Sequence, residues 1–408
     1  MHIMLINHYA GSNIHGMEFR PYYLAREWVK SGHEVTIITA SYSHLRQKNK
    51  QIDVLEEEYV EGIRYLWLPT SAYQGNGIRR LKNMLQFVYQ LYKNLSKLAS
   101  LKPDAVIASS TYPLDSYPAY KLAKKTESKF IFELHDLWPL SPMELGKMNK
   151  YHPFILLMQQ AENFWCRNVD KVISILPSAE KYLQAHGLGN NKFICVPNGI
   201  IVSEVEYNAK LNKPYQDICD ALHEKKLFLI GYTGAHGIAN ALDILIEAAA
   251  KCKEEQLSVR FILVGQGQEK ENLKILVRNK ELDNVLFLDS IPKTQINNFL
   301  NNMDCLYIGL QKQKLFKYGI SPNKIMDYML SGKPIISCVT AGNDLVQEAD
   351  CGISVPGEDV DGVVNAVKMI MSFSEMKRQE LGNNGKNYVR ANHDYKVLAE
   401  KFIKSITD

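Results

Sequence analysis

The stretch GISPNKIMDYMLSGKPIISC, Gly319–Cys338, reads as a turn, a helix and a strand in immediate succession. Gly319-Ile320-Ser321-Pro322-Asn323 forms the turn, Lys324–Leu330 has helical spacing, Gly332 closes the helix, and Pro334–Cys338 is a run apolar at all but Ser337. Ser321 or Asn323 can cap the helix, and Pro322 suits a first-turn position whose N–H would have no partner anyway. A strand that is apolar almost throughout, rather than at alternate positions, is buried on both faces, which implies a parallel sheet covered by helices on each side.

The same unit recurs in both directions. Upstream, KLFLIGYTG runs from about Lys226 into a glycine turn, Ala241–Lys253 follows as a helix, and Ser258–Val264, Asn284–Leu288 and Cys305–Ile308 are further strands. Nearer the amino terminus come His2–Asn7, a helix over Phe19–Ser31, Glu34–Thr39, Gly62–Leu68, Ala105–Ser109, Lys129–Leu134 and Lys171–Leu176. From about Val202 to His223 periodicity fades into charged, asparagine-rich sequence around Pro214, the best place for a domain boundary. The expected fold class is therefore α/β: two doubly wound, parallel-sheet, Rossmann-like domains facing across a cleft. They span residues 1–205 and 206–385, and a carboxyl-terminal helix, 386–408, packs back on the first. Open parallel sheets bind ligands at the carboxyl ends of their strands, so the sites are sought there.

A chain of 408 residues exceeds the size of one core. With 46% hydrophobic and 23% charged residues it is ordinary globular protein, and a net charge of +4 gives no argument for nucleic acid as a partner. The seven cysteines are scattered, without a CxxC pair, which reads as free thiols in a reducing compartment rather than disulfides or zinc. MHIMLINHYAG is a first strand rather than a signal peptide, and no run approaches the ~18 apolar residues of a spanning helix. Arg79–Lys102 stands apart: it carries six basic residues and no acidic one, with apolar residues at helical spacing. It is either a helix packed on its own sheet with a solvated basic face or one that meets an anionic membrane surface.

Five places offer chemistry. Tyr9–Gly16 (YAGSNIHG) follows the first strand, and the helix after Gly16, with Arg20 inside it, offers N–H groups to an anion. His135-Asp136 sits straight after the strand that contains Glu133. Gly231–Gly237 (GYTGAHG) could cradle a diphosphate around Gly234, with His236 as a donor, and Val264–Gly267 (VGQG) could pack a base or ribose at Gly265. In Gly319–Ile336 the helix start with Lys324 suits phosphate, and Asp327 could accept hydrogen bonds from both ribose hydroxyls. A bare capped helix with a surface ion pair is the alternative. Asp359–Asp361 is a lone DxD that reads as an acidic helix start rather than a metal site. GxGxxG, GxSxG and a Walker A lysine are all absent.

These residues resemble the retaining glycosyltransferases of family four (glycosyl transferases group 1), which have the GT-B architecture. The resemblance is closest to the branch using N-acetylated deoxyhexose or HexNAc donors in bacterial surface polysaccharide synthesis. It rests on Asn7–Thr39, ELHDLWP at Glu133–Pro139, VPNGI at Val196–Ile200, LVGQG at Leu263–Gly267 and SPNKIMDYMLSGKPII at Ser321–Ile336. It implies that Gly16 and Arg20 lie near donor phosphate and sugar, and that His135 contacts the transferred sugar. Ser321, Pro322, Asn323 and Lys324 would surround the diphosphate, Asp327 would hold the ribose, and Gly265 with Ser290, Ile291 and Pro292 would accept the base. The catalytic candidates are His135, Lys324 and Asp136, and the donor-binding set also includes Gly234, His236 and Gly319.

Two departures from the family stand out. Gly319 occupies the position of a usual glutamate, and the loop GYTGAHGIAN lacks the usual arginine and lysine. The implied activity moves a sugar, N-acetylated hexosamine or 6-deoxyhexosamine, from a UDP-sugar to a lipid-linked or saccharide acceptor in lipopolysaccharide, O-antigen or capsule assembly. No cofactor or metal is expected. The expected location is cytoplasmic, with peripheral attachment to the inner face of the plasma membrane through Arg79–Lys102 left open. A sugar-nucleotide 2-epimerase using Glu133 or Asp136, and a non-catalytic nucleotide-sugar-binding protein, are the alternatives.

Overall fold

A computed structural model describes residues 1–75, 77–205 and 210–407. The chain divides into two compact units, one formed by Met1–Asn198 with the residues from Tyr395 onward, the other by Gly199–Asp394. The first contains β1 (His2–Ile6), β2 (Glu34–Ala40), β3 (Glu56–Val60), β4 (Ile63–Leu68), β5 (Ala105–Ala108), β6 (Lys129–Leu134), β7 (Lys171–Ser174) and β8 (Phe193–Cys195). They lie in the order β3-β4-β2-β1-β5-β6-β7-β8, and only β3 runs antiparallel to its neighbour. β3 has no counterpart in the sequence reading. Its sequence EEEYV is mostly solvated, as suits an edge strand guarded by charge, and carries no apolar pattern to betray it.

The second unit has β9 (Phe228–Thr233), β10 (Val259–Val264), β11 (Val285–Leu288), β12 (Cys305–Gly309), β13 (Ile335–Cys338) and β14 (Gly352–Val355). They are all parallel, in the order β11-β10-β9-β12-β13-β14. Successive side chains on these strands enter opposite cores. Ile230, Phe261, Leu263 and Tyr307 pack with Leu245, Ile246 and Val367 of the helices Leu242–Glu254 and Val360–Ser372. Leu229, Ile262, Leu306 and Ile308 pack with Phe299, Met326 and Met329 on the other face. Both sets must be apolar, hence the unbroken runs.

β1 lies between β2 and β5, and β9 between β10 and β12. The order of winding reverses at each of these central strands, which parts the loops at their carboxyl ends and leaves room for a ligand.

The division between units falls at Asn198/Gly199 and Asp394/Tyr395, compared with the expected 205/206 and 385/386. Ile200 and Val202 already belong to the second unit's core, and the Ile200 N–H donates to His393 O. The expected linker also holds a helix, Lys213–Glu224, with Pro214 in its first turn. Cys219 is its one fully buried residue, so its apolar face is too narrow to show as periodicity. Residues 206–209 of that linker, and the last residue of the expected terminal helix, lie outside the described residues.

Helix Glu375–Asn392 runs through the expected 385/386 boundary. It stays with the second unit because Gly382 and Gly385 let it lie close: a Cβ on Gly382 would stand 1.8 Å from Gly332 O. The final helix, Tyr395–Thr407, packs in the first unit, with Phe402 against Trp28 at 5.0 Å and Trp28 Nε1 donating to Ala399 O.

Candidate active site

In the first unit, β1, β5 and β6 end side by side, and their last residues form one hydrogen-bonded cluster. Glu133, fully buried near the end of β6, receives Arg20 Nε at 2.9 Å on Oε1 and the Ser109 hydroxyl at 2.6 Å on Oε2. His135 Nε2 lies 3.0 Å from that hydroxyl and 3.3 Å from Glu133 Oε2. Asn7 Nδ2 donates to Ser109 O at 2.6 Å and to its Oγ at 3.1 Å. Burial pushes the Glu133 carboxyl up, but Arg20, His135 and Ser109 together outweigh it and hold the pKa down at about 2. Glu133 is thus a fixed negative charge.

Arg20 and Gly16 are committed within the protein. Besides Glu133, the Arg20 guanidinium donates to Pro197 O at 2.6 Å and Val196 O at 2.8 Å, and the side chain is 2% exposed. VPNGI is therefore tied to β6 through an arginine more than a hundred residues away in sequence. The loop after β1 folds back on itself, so the Gly16 N–H is taken by Ser12 O and the Gly11 N–H by Glu18 O. The helix that follows starts only at Arg20. Asp136 caps the next turn: its Oδ1 accepts from Leu137 N at 2.9 Å and Ser141 Oγ at 2.5 Å.

In the second unit, the loops after β9 and β10 touch through two glycines. Gly234 and Gly265 have φ of 142° and 153°, and a Cβ on Gly265 would stand 1.9 Å from Gly234 O. Only glycine fits there. Beside them is a pocket of about 280 Å³ lined by Thr233, Gly234, Gly265, Gln266, Ser290 and Ile291, among others. Lys270 braces it from behind, donating to Gly265 O, Leu288 O and Asp289 Oδ1 at 2.8–3.1 Å. Pro292 stands at the edge as the residue that begins helix Lys293–Asn301.

Helix Asn323–Ser331 begins at Pro322, and no side chain caps it. The N-cap residue Pro322 has no side-chain acceptor to offer, and the Ile325 N–H is taken by Pro322 O at 3.3 Å. Lys324 Nζ reaches under the glycine loop, 2.9 Å from Tyr232 OH and 2.6 Å from Asn240 Oδ1, and a Cβ on Gly234 would lie 3.2 Å from it. Among the described residues it has no carboxylate partner, and burial lowers its pKa to about 8. Asp327 does not pair with Lys324. Burial raises its carboxyl to about 6, Lys293 opposes the rise, and no hydrogen bond holds it among the described residues. A lysine ammonium, a helix start and a tightly packed glycine loop together suit an anion, with an unspent carboxyl one turn further on.

His236 faces inward instead. It is fully buried, with its ring 5.9 Å from Tyr232 and 5.8 Å from Phe287, and burial followed by Lys270 and Lys324 lowers its pKa to about 4. Gly319, with φ of 98°, turns the chain into a loop that Asn343 holds by Ile320 N at 2.8 Å and Ile320 O at 3.1 Å. Asp359 caps its helix at Gly362 N, and Asp361 pairs with Lys251, so the DxD is spent on structure. Sequence reasoning overlooked Ser109, Tyr232, Asn240, Lys270 and Asn343. Each belongs to a common loop or strand type, and only pairing across the fold brings it to the site.

The family model described as Glycosyltransferase Family 4 matches residues 14–204, and that described as Glycosyl transferases group 1 matches residues 227–372. The putative colanic acid biosynthesis glycosyl transferase WcaI of Escherichia coli strain K12 is 23% identical over 356 residues, 85% of this chain and 86% of that protein. Among solved structures, Alr3699/HepE of Anabaena in complex with UDP superposes with a TM-score of 0.69 at 13% identity, covering 100% of both chains. Sucrose-phosphate synthase of Thermosynechococcus elongatus gives 0.69 at 17% identity over 99% of this chain and 97% of that one. At these identities the structures speak for the fold alone.

Proposed function

The chain belongs to the glycosyl transferases of group 1, with a Family 4 amino-terminal half and the GT-B fold, and from that premise we propose a specific reaction. A sugar, N-acetylated hexosamine or 6-deoxyhexosamine, moves from UDP to a lipid-linked or saccharide acceptor in bacterial surface polysaccharide synthesis, with retention of anomeric configuration. The observation that carries the donor reading is the half-buried Lys324, without a carboxylate partner among the described residues and set beneath the Gly234 loop at the start of a helix. The pocket by Gly265, Ser290 and Ile291 suits a base, and the unspent Asp327 suits a ribose. WcaI, named for colanic acid biosynthesis, supports the surface-polysaccharide part of this reading.

In this reaction the bond from the anomeric carbon to the β-phosphate oxygen breaks and a bond to the acceptor oxygen forms. The acceptor's proton leaves with the departing diphosphate. Negative charge grows on that phosphate, where Lys324 and the helix N–H groups stabilise it without reorganising. His135 holds a hydroxyl of the transferred sugar through its second nitrogen. The 2-epimerase alternative loses ground on Glu133, which is sealed and ionised and so cannot supply a proton near neutral pH. Peripheral membrane contact would come from Arg79, Arg80 and Lys82 at the start of helix Ile78–Lys93, and charge reversal there should weaken retention on anionic vesicles.

The deciding experiment screens UDP-, GDP- and dTDP-sugars by thermal shift, followed by transfer assays with the best binder. Stabilisation by UDP-N-acetylhexosamines above the others is expected. Equal responses to all three nucleotides, or none, would defeat the donor assignment.

A further inference from the structure

We propose that a groove in the first unit, between the start of helix Ile78–Lys93 and the segment 138–154, holds the hydrocarbon chain of the acceptor lipid, with Arg80 meeting its phosphate. The groove has a volume of about 450 Å³, within the ~300–1,000 Å³ typical of ligand sites. Its wall is Ile78, Leu81, Met84, Trp138, Met148 and Phe154, together with Pro142 and two glycines. Arg80 and His152 are the only ionisable side chains among the residues lining it. A saccharide needs converging donors and acceptors, which this wall does not provide; a hydrocarbon chain needs none. The floor joins the core cluster of Tyr9, Met84, Tyr112 and Met158, so the groove is part of a packed frame rather than a gap between mobile loops.

The surroundings point to the same occupant. Large apolar side chains are exposed on both segments that form the groove: Ile78 and Tyr89 on the helix, Leu145 and Tyr151 on segment 138–154, with Ile78 86% and Tyr151 71% exposed. Such residues, flanking a single groove, mark a surface that meets lipid. The charge on the two segments is predominantly basic. Arg79, Arg80, Lys82 and Lys93 share a helix without an acidic residue, and segment 138–154 carries Lys147 and Lys150 against the single acid Glu144. Hydrocarbon below and cations at the rim complement an amphiphile with an anionic head.

The groove also adjoins the candidate centre. Arg80 lies over the Tyr9 ring at 5.7 Å and donates to its hydroxyl at 3.3 Å, just past the carboxyl end of β1. Trp138 follows His135 on the same loop, and Asp136 caps the turn that carries Pro142. A headgroup at Arg80 thus lies at the end of the sheet where His135 sits.

The proposal rests on the glycosyltransferase reading for the word acceptor, and two readouts keep the two apart. Butyl, octyl and dodecyl phosphate, each below its micelle concentration, and inorganic phosphate are titrated calorimetrically against the full chain. Affinity should rise by about fourfold per methylene until the groove is filled. Leu81→Trp, or Met148→Trp should the first not fold, should lower dodecyl phosphate affinity at least tenfold by occupying the groove. Arg80→Gln should remove the preference for octyl phosphate over octanol. Affinity that does not depend on chain length, or a dependence that both tryptophan variants leave intact, overturns the proposal. In parallel, the thermal shift with UDP-sugars is read on the same samples. Its absence would defeat the donor reading while leaving a lipid-binding groove, whereas a normal shift without chain-length dependence would defeat the groove alone.

Discussion

His135 Nε2 stands 3.0 Å from Ser109 Oγ, and that contact fixes which ring nitrogen carries the proton. The single Ser109 hydroxyl proton goes to Glu133 Oε2, 2.6 Å away, because an ionised carboxylate can only accept. Ser109 Oγ must then accept from His135 Nε2–H. In the neutral form of the ring Nδ1 is then the acceptor, and no described residue occupies it.

A sugar hydroxyl donating to Nδ1 makes the His135 variants unequal. His135→Ala should lower kcat/KM about 10²-fold or more. His135→Asn, whose amide oxygen falls near the Nδ1 position, should retain more activity than His135→Gln. Ser109→Ala and Glu133→Gln, which release the ring without removing it, should cost about tenfold, chiefly in kcat. Steady-state kinetics with the donor identified by thermal shift check this order. Equal activities for the Asn and Gln variants would refute the tautomer.

Donor affinity should pass through a maximum between about pH 6 and about pH 8. Below about 6 Asp327 protonates and loses its capacity to accept from both ribose hydroxyls; above about 8 Lys324 loses the charge that attracts the diphosphate. UDP-glucose is the suitable probe, since its β-phosphate carries no titrating proton in this range. Calorimetric Kd values that stay flat from pH 5 to 9 would exclude both roles.

Asp327→Ala should weaken UDP binding by about 1.5–3 kcal/mol, the usual worth of hydrogen bonds to a charged group. It should also abolish discrimination between UDP and 2′-deoxy-UDP. If the variant still prefers the ribonucleotide as strongly as the parent, the ribose is held elsewhere.

Arg20→Ala should destabilise the first unit by about 3–5 kcal/mol, because it leaves the Glu133 charge buried without its partner. The folded pKa of Glu133 lies below that of an unfolded glutamate, ~4.3, so the pair's stabilisation is complete above that value. It is lost as pH falls toward about 2, and the variant should therefore differ least from the parent in acid. Urea unfolding at pH 3 and pH 7 measures the difference. UDP affinity should be unchanged at neutral pH in the folded variant, since the guanidinium is wholly engaged within the protein.

Helix Ile78–Lys93 packs on its own unit, the first of the two alternatives posed by its sequence. Met84, Phe87 and Leu91 fall on one face and pack on the first unit, while Leu85, Tyr89 and Tyr92 remain exposed beside the basic residues. Periodicity revealed an amphipathic helix. It could not reveal which apolar residues face inward, because the helix carries apolar residues on more than one face. Among the described residues, no helix is long and apolar enough to cross a membrane.

The sequence by itself determined the two parallel sheets, since strands buried on both faces must be apolar almost throughout, and it determined the turn, helix and strand of Gly319–Cys338. It also placed His135 at a strand end, because polar residues straight after an apolar strand have nowhere else to go. Only the tertiary structure decided what those residues are free to do. Lys324 keeps its charge without a carboxylate partner among the described residues, while Arg20 spends its charge on Glu133 and two carbonyls, and His236 turns inward. A lysine, an arginine and a histidine near loops look equally available in a linear chain. Their availability is a matter of burial and of partners contributed by distant strands, and those exist only once the sheets have formed.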